Sequence, residues 1–291
     1  MQTHEEKVAH FYESGITNCI GPHDVNENSL CFGLWYPWMK TYGEAARALV
    51  VRMGSELGLD RSSALLDAGC GMGYQDCILA AEFHPRLIQG VDITPKHIEL
   101  ARLLVEREQK LMRVPSETTI RFHCGSATEL PYASETFSHV LALESAPHMN
   151  TREDFFREAY RVLKPGGVLA CADFILARYP EDMFERLLVA LGSRAWHMPR
   201  ANVYDYFALQ FRIQMARFEH FAIDLIGKDV IPGYYAWHRR PEQIQAMRKL
   251  RGTLKGVYGG AIIDRVVLDA YRHGLCEYAI YSAHKPCVTI H

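Results

Sequence analysis

Apolar residues fall in short runs separated by polar, glycine-bearing turns, and the two periods of secondary structure alternate along most of the chain. Five runs read as buried strands: Leu65–Ala68, Leu87–Asp92, Thr119–Cys124, Phe137–Leu143 and Val168–Phe174. Continuous apolar runs of this length suit a parallel sheet covered on both faces. Between them lie helical patterns. Residues 42–57 carry Ala45, Ala46, Leu49, Val50 and Met53 up to Gly58, a helix and its stop. Thr94-Pro95 opens a second helix as cap and first turn, with Ile98, Ala101, Leu104 and Val105 on one side. Further helices are predicted over 4–14, from near Gln75 past Ala81, and over 154–162, with a turn at Lys164-Pro165-Gly166-Gly167. Phe218–Ile226 and Cys276–Pro286 add a closing pair of strands, and a broken helical stretch is expected from Pro241 to Tyr271. The pattern predicts one Rossmann-like α/β domain, a seven-stranded doubly wound sheet.

Composition is that of an ordinary globular chain. Nearly half of the 291 residues are hydrophobic and net charge is −2, with no basic block of the kind nucleic acid demands. The eight cysteines form no C-x-x-C pair and several sit in apolar runs, which points to a reducing, cytoplasmic setting. No apolar run reaches membrane-spanning length and the first residues lack a signal-peptide core.

Candidate chemistry centres on Asp67-Ala68-Gly69-Cys70-Gly71-Met72-Gly73, a strand end, a glycine turn and a helix start. Glycine lets a ligand lie against the backbone. Asp92 ends the next strand, nineteen residues after Gly73, where a carboxylate meets ribose hydroxyls in doubly wound folds. The G-x-G-x-G spacing departs from the dinucleotide fingerprint. Asp67 would repel a pyrophosphate and suit a ligand bearing an amine and a sulfonium, so a nicotinamide-dependent oxidoreductase is disfavoured.

This motif resembles the first motif of class I S-adenosylmethionine-dependent methyltransferases, and Gly90-Val91-Asp92-Ile93-Thr94 resembles their ribose-binding segment. The resemblance covers residues 60–175 and, more loosely, both ends. It implies S-adenosyl-L-methionine as cofactor, S-adenosyl-L-homocysteine as product and no metal. It also implies cofactor contacts from Asp67, Gly69, Gly71, Gly73, Asp92, Ile93, Ser126, Ala127 and Glu144. Ser126 stands where the family commonly has an aspartate on the adenine amine, leaving adenine to backbone amides of 126–127 and apolar packing. Tyr12 and Trp35 are expected from an aromatic arm that closes over the cofactor. In that arm Cys31 takes the place of a family histidine.

Glu144-Ser145-Ala146-Pro147-His148-Met149, after the fourth strand, resembles the branch that methylates sugars, polyketides and other small metabolites. His148 is the expected base for a hydroxyl acceptor, since a histidine of ordinary pKa near 6.5 is neutral at pH 7 and accepts a proton. Asp173 is expected to fix its tautomer or share the role, and Glu144 to bind cofactor, orient the loop or act on a carbocation.

Residues 174–237 hold 13 of the 32 aromatics, so a helical cap between strands 5 and 6 is expected over an acceptor that is apolar or aromatic in part. Most of those rings would be ordinary core. The organisation expected is an arm and helices over 1–58, a cofactor-binding core over 59–175, a cap with strand 6 over 176–240, and C-terminal helices with the last strand over 241–291. The reaction favoured is O-methylation of a small-molecule hydroxyl. A C- or N-methyltransferase on a terpenoid, aromatic or lipid-like acceptor is the alternative, and a nucleoside-binding protein without transfer is a distant one. Neither nucleic acid nor membrane is expected as a partner, and assembly into a homo-oligomer stays open.

Overall fold

The computed structural model describes residues 3–13, 29–245 and 265–287. Its seven strands are β1 (Ala64–Ala68), β2 (Leu87–Asp92), β3 (Thr119–Cys124), β4 (Phe137–Leu143), β5 (Leu163–Leu176), β6 (Glu219–Leu225) and β7 (Cys276–His284). They form one sheet in the order β3-β2-β1-β4-β5-β7-β6. β1 to β5 are parallel, and β7 runs antiparallel between β5 and β6. The expected Rossmann-like, doubly wound sheet is therefore observed. Strand order reverses between β1 and β4, and ligands of open α/β sheets bind beside such a reversal, at the carboxyl ends of the strands.

The helices are α1 (His4–Phe11), α2 (Tyr42–Leu57), α3 (Tyr74–Phe83), α4 (Pro95–Lys110), α5 (Arg152–Val162), α6 (Met183–Ala195), α7 (Tyr206–Met215) and α8 (Gly227–His238). One face of the sheet packs Leu49 and Met53 of α2, Ile78 of α3, Ala101 of α4 and Ile231 of α8 into a single core. The other packs Phe155 and Phe156 of α5 with Leu209 and Ile213 of α7. Local chemistry sets several helix starts. Thr3, Thr41 and Thr151 each accept from the backbone N–H three residues on, with Glu6, Glu44 and Asp154 returning the bond to the cap. The Thr151 box starts α5 two residues earlier than the apolar pattern predicts.

Two expectations are corrected. Residues 164–167 are not a free turn before the fifth strand. Gly166 N–H donates to Lys285 O at 2.9 Å and Lys285 N–H to Gly167 O at 2.9 Å, so pairing with the end of β7 draws them into β5. The aromatic segment after β6 is not cap but helix α8, on the α2 side of the sheet. Only parts of the stretch expected to be helical from 241 to 271 are described. Residues 241–245 and 265–271 are helical, while 246–264 lie outside the described residues, as does Gly15. Among the described residues no helix is long and apolar enough to cross a membrane.

Candidate active site

Local backbone geometry builds the glycine turn after β1. Gly69 has φ +88°, and a Cβ there would stand 2.2 Å from Ser145 Cβ. Glycine is thus needed on two grounds, left-handed backbone and the close approach of the β4 loop. Ser145 Oγ donates to Ala68 O at 2.5 Å, tying that loop to the turn. Gly71 faces open space: the nearest atom to where a Cβ would stand is Leu30 Cδ1, 3.6 Å away. Gly73 is different. It caps α3, and a Cβ would press on Ala101 and Phe122, so it serves helix packing and does not line the cavity.

Asp92 closes the cradle from β2. Its Oδ2 accepts from Gly71 N–H at 3.0 Å and its Oδ1 from Thr94 N–H at 2.8 Å. His97, buried in the first turn of α4, brings Nδ1 to 3.3 Å from Oδ1. Asp67 does not line the cavity. It is wholly buried beneath the turn, accepts from Gln75 Nε2 at 2.8 Å and lies beside the carboxyl of Asp76. Burial of the two adjoining acids, each beside the other's carboxyl, pushes both pKa values up. The expected direct contact from Asp67 is thereby corrected to a support for the turn.

The cavity runs from this cradle across the ends of β4 and β5 to α6, about 1720 Å³ including its open mouth. Ile93, Ser126 and Ala127 line the cradle end together with Gly69, Gly71 and Asp92. Glu5 of α1 reaches the same end and accepts from Ser126 Oγ. Tyr12 lines the cavity as expected from the arm, but Trp35 does not. Its Nε1 donates to Phe32 O at 2.9 Å and its ring lies over Gly233 and beside Trp237, so it fastens the arm to α8.

Glu144, at φ +55°, lies where the two ends meet. Its Oε1 accepts from Phe32 N–H at 2.7 Å and from Tyr278 OH at 2.7 Å. Burial lifts its pKa to about 8, against the pull of those two donors, and holds it protonated at neutral pH. His148 ends the short turn Ala146–His148, and its Nε2 lies 3.1 Å from Tyr12 OH. Burial lowers its pKa to about 4, with Arg152, His197 and His4 adding to the fall and the Trp196 backbone opposing it, so the imidazole is neutral.

Asp173 does not fix the tautomer of His148. Its Oδ1 accepts from the Arg152 guanidinium at 2.9 Å and its Oδ2 from Tyr281 OH at 3.2 Å, all in the interior. Burial raises its pKa to about 6 against the pull of Arg152, which leaves a carboxylate at neutral pH. It is a structural counter-ion. Beyond it the cavity wall is apolar, with Phe174, Leu176, Leu188, Trp196 and Met198. Of the aromatic-rich stretch, Phe174, Trp196 and Tyr204 reach the cavity. Phe207 and Phe211 face outward, and Tyr234 and Tyr235 pack on Phe32.

Sequence reasoning missed Glu5, His97, Ser145, Arg152 and Asn202. His97 was findable, because Thr94-Pro95 starts a helix whose third residue must sit beside Asp92. Among the described residues no group of three or more His, Cys, Asp or Glu side chains is placed to hold a metal ion.

The reversal of the sheet beside β1, the glycine cradle and the Asp92 carboxylate thus stand together at the strand ends of a Rossmann-like fold. Comparison with known proteins takes this further. Residues 66–171 match a family described as a methyltransferase domain. The chain is 41% identical over 143 residues to erythromycin 3''-O-methyltransferase of Saccharopolyspora erythraea, covering 49% of this chain and 45% of that protein. It is 35% identical over 155 residues to 27-O-demethylrifamycin SV methyltransferase of Amycolatopsis mediterranei, covering 53% and 54%. The chain thus spans about half the length of the curated relatives it matches. In fold it is similar to geranyl diphosphate C-methyltransferase from Streptomyces coelicolor A3(2), with a TM-score of 0.71, 18% identity and 98% of each chain covered.

Proposed function

We propose that this chain is an S-adenosylmethionine-dependent methyltransferase acting on a hydroxyl of a neutral, largely apolar small molecule, with His148 taking the acceptor's proton. The observation that carries the reading is one cavity that joins the Gly71–Asp92 cradle to an apolar chamber, with the neutral imidazole of His148 at their junction.

The residues present fit the cofactor. Gly71 leaves room for a ligand against the backbone, and the Asp92 carboxylate, anchored by two backbone amides, is placed for ribose hydroxyls. Ile93, Ser126 and Ala127 suit adenine, and Glu5 and Asp92 at the same end make the surroundings favourable to a cation. S-adenosylmethionine supplies, when bound, a methyl group already activated on a sulfonium. The chain's own task is then positioning and one proton transfer. Tyr12 OH and the backbone around His148 hold the imidazole at the junction, and the ring stays neutral through the physiological range. Glu5 and Asp92 line the cavity and, among its described lining residues, there is no Lys or Arg, so an anionic acceptor would meet like charge without a counter-charge. The two curated relatives named above, both with O-methylation or O-demethylated substrates in their names, support the hydroxyl as acceptor.

Transfer to carbon or nitrogen is the second reading. The observation favouring it is the low basicity of His148, which weakens proton abstraction but would not hinder an amine or an electron-rich carbon. The test is incubation of the purified chain with methyl-labelled S-adenosylmethionine and a panel of neutral phenols, macrolide alcohols, amines and prenyl alcohols. Labelled ether formed with an alcohol or phenol is expected. Label found only on amines or carbon would replace this reading by the second.

A further inference from the structure

Asn202 lies in the short turn Arg200–Asn202 between α6 and α7 and is 1% exposed. Its amide nitrogen donates to Pro147 O at 2.9 Å and to Met149 O at 2.7 Å. These are the carbonyls on either side of His148. Its Oδ1 accepts from Arg152 N–H at 3.0 Å, and its own carbonyl accepts from the Arg152 guanidinium at 3.1 Å. The same guanidinium holds Asp173 and Phe174 O, each at 2.9 Å. An uncharged side chain with two donors and one acceptor on a short planar group is what this geometry requires, and asparagine supplies it. Both donors and the acceptor of that side chain are used in the interior, where an unmet partner is costly.

We propose that Asn202 is the positioning residue of His148, gripping both peptide carbonyls that flank it and so fixing where the imidazole stands in the cavity. The inference rests on His148 being the base. It also gives the segment between β5 and β6 a direct mechanical link to that base, since Asn202 arrives from there while His148 follows β4. His148 is otherwise held by its N–H on Ser145 O at 3.0 Å, by His4 Nε2 donating to its carbonyl at 2.9 Å, and by Tyr12 on its ring. The charged and titratable groups that face it are Tyr12 and His4 from α1, Arg152 from α5 and His197 after α6. None of them contacts both flanking carbonyls.

The test is a histidine imidazole titration by NMR on the full chain labelled with ¹⁵N-histidine, His148→Asn identifying the signal. Asn202→Ala and Asn202→Leu each lose all three bonds and add no charge. Tyr281→Phe is the control, because it weakens the same buried network at Asp173 without touching the loop. The expected result is a His148 midpoint raised by one unit or more in both Asn202 variants and unmoved in Tyr281→Phe. Affinity for S-adenosylhomocysteine should stay within twofold throughout. If Asn202→Leu does not fold, Asn202→Ala decides. A midpoint unmoved in a folded Asn202 variant, or moved equally by Tyr281→Phe, overturns the proposal. Failure of the base reading looks different: His148→Asn would then keep full methyl transfer while the titration result stood.

Discussion

The two ends of the cavity are built in opposite ways. At the cradle, the groups that would face a nucleoside come mostly from one unbroken stretch, Gly69 to His97, and backbone amides do much of the holding. At the acceptor end, His148, Asp173, Trp196 and Asn202 come from four elements, and side chains hold backbone groups or one another across separations of 21 to 55 residues. Local sequence therefore specifies the first end, whereas the second exists only once the sheet has closed and the α6–α7 segment has docked. The difference teaches where tolerance to change should lie. A backbone cradle on β1 and β2 should survive most substitutions at the acceptor wall, while the acceptor wall should fail as a unit.

The contrast has consequences that measurement can check. His148→Ala should lower methyl transfer by roughly 10²–10⁴-fold, the range for a lost general base, with S-adenosylhomocysteine affinity nearly unchanged. A loss of only a few-fold, measured by product formation with an accepted alcohol or phenol, would move the chemistry away from His148. Asp173→Asn leaves Arg152 buried without its counter-charge and should cost about 3–5 kcal/mol of stability, read by denaturant unfolding. Asp92→Ala should weaken S-adenosylmethionine binding by about 1–3 kcal/mol, the range for charged hydrogen bonds and unmet partners. Calorimetry checks it, and unchanged affinity would remove the ribose assignment.

The last effect is a pH dependence, read as a slope and not as a single difference. The Glu144 pKa is raised on folding to about 8. The folded chain then binds more protons than the unfolded one between about 4.5 and 8, so this group's stabilisation is complete below the lower value and is lost as pH rises through the upper. Glu144→Gln should flatten the fall in thermal midpoint between about pH 5 and 9. An identical slope in both proteins would show that Glu144 ionises normally.

How far the sequence could be read follows the same division. Strand positions were legible, and so was the gathering of the glycine turn, Asp92, Ile93 and residues 126–127 at one end of a cavity, because each depends on period, spacing or adjacency within a β–α unit. Helix α8 was not. Its Gly227, Pro232 and Gly233 argue against a helix locally, and packing of Ile231 and Tyr235 into the core overrides that preference. Trp35 and Asp173 carried the right residue types in the right neighbourhood, yet Gly233 and Arg152, respectively, claim them. Those partners lie 198 and 21 residues away, and nothing in the local pattern names them. Asn202 looked like any polar residue in a turn until its two carbonyl partners were seen.

The central claim is that the Gly69–Asp92 cradle holds an adenosyl cofactor beside an acceptor chamber. The most direct measurement is calorimetric titration of the purified chain with S-adenosylmethionine, S-adenosylhomocysteine and NAD in parallel. Saturable binding of both adenosyl ligands, at micromolar affinity, and none of NAD is the predicted result. Binding of NAD alone would contradict it and return the glycine turn to a dinucleotide.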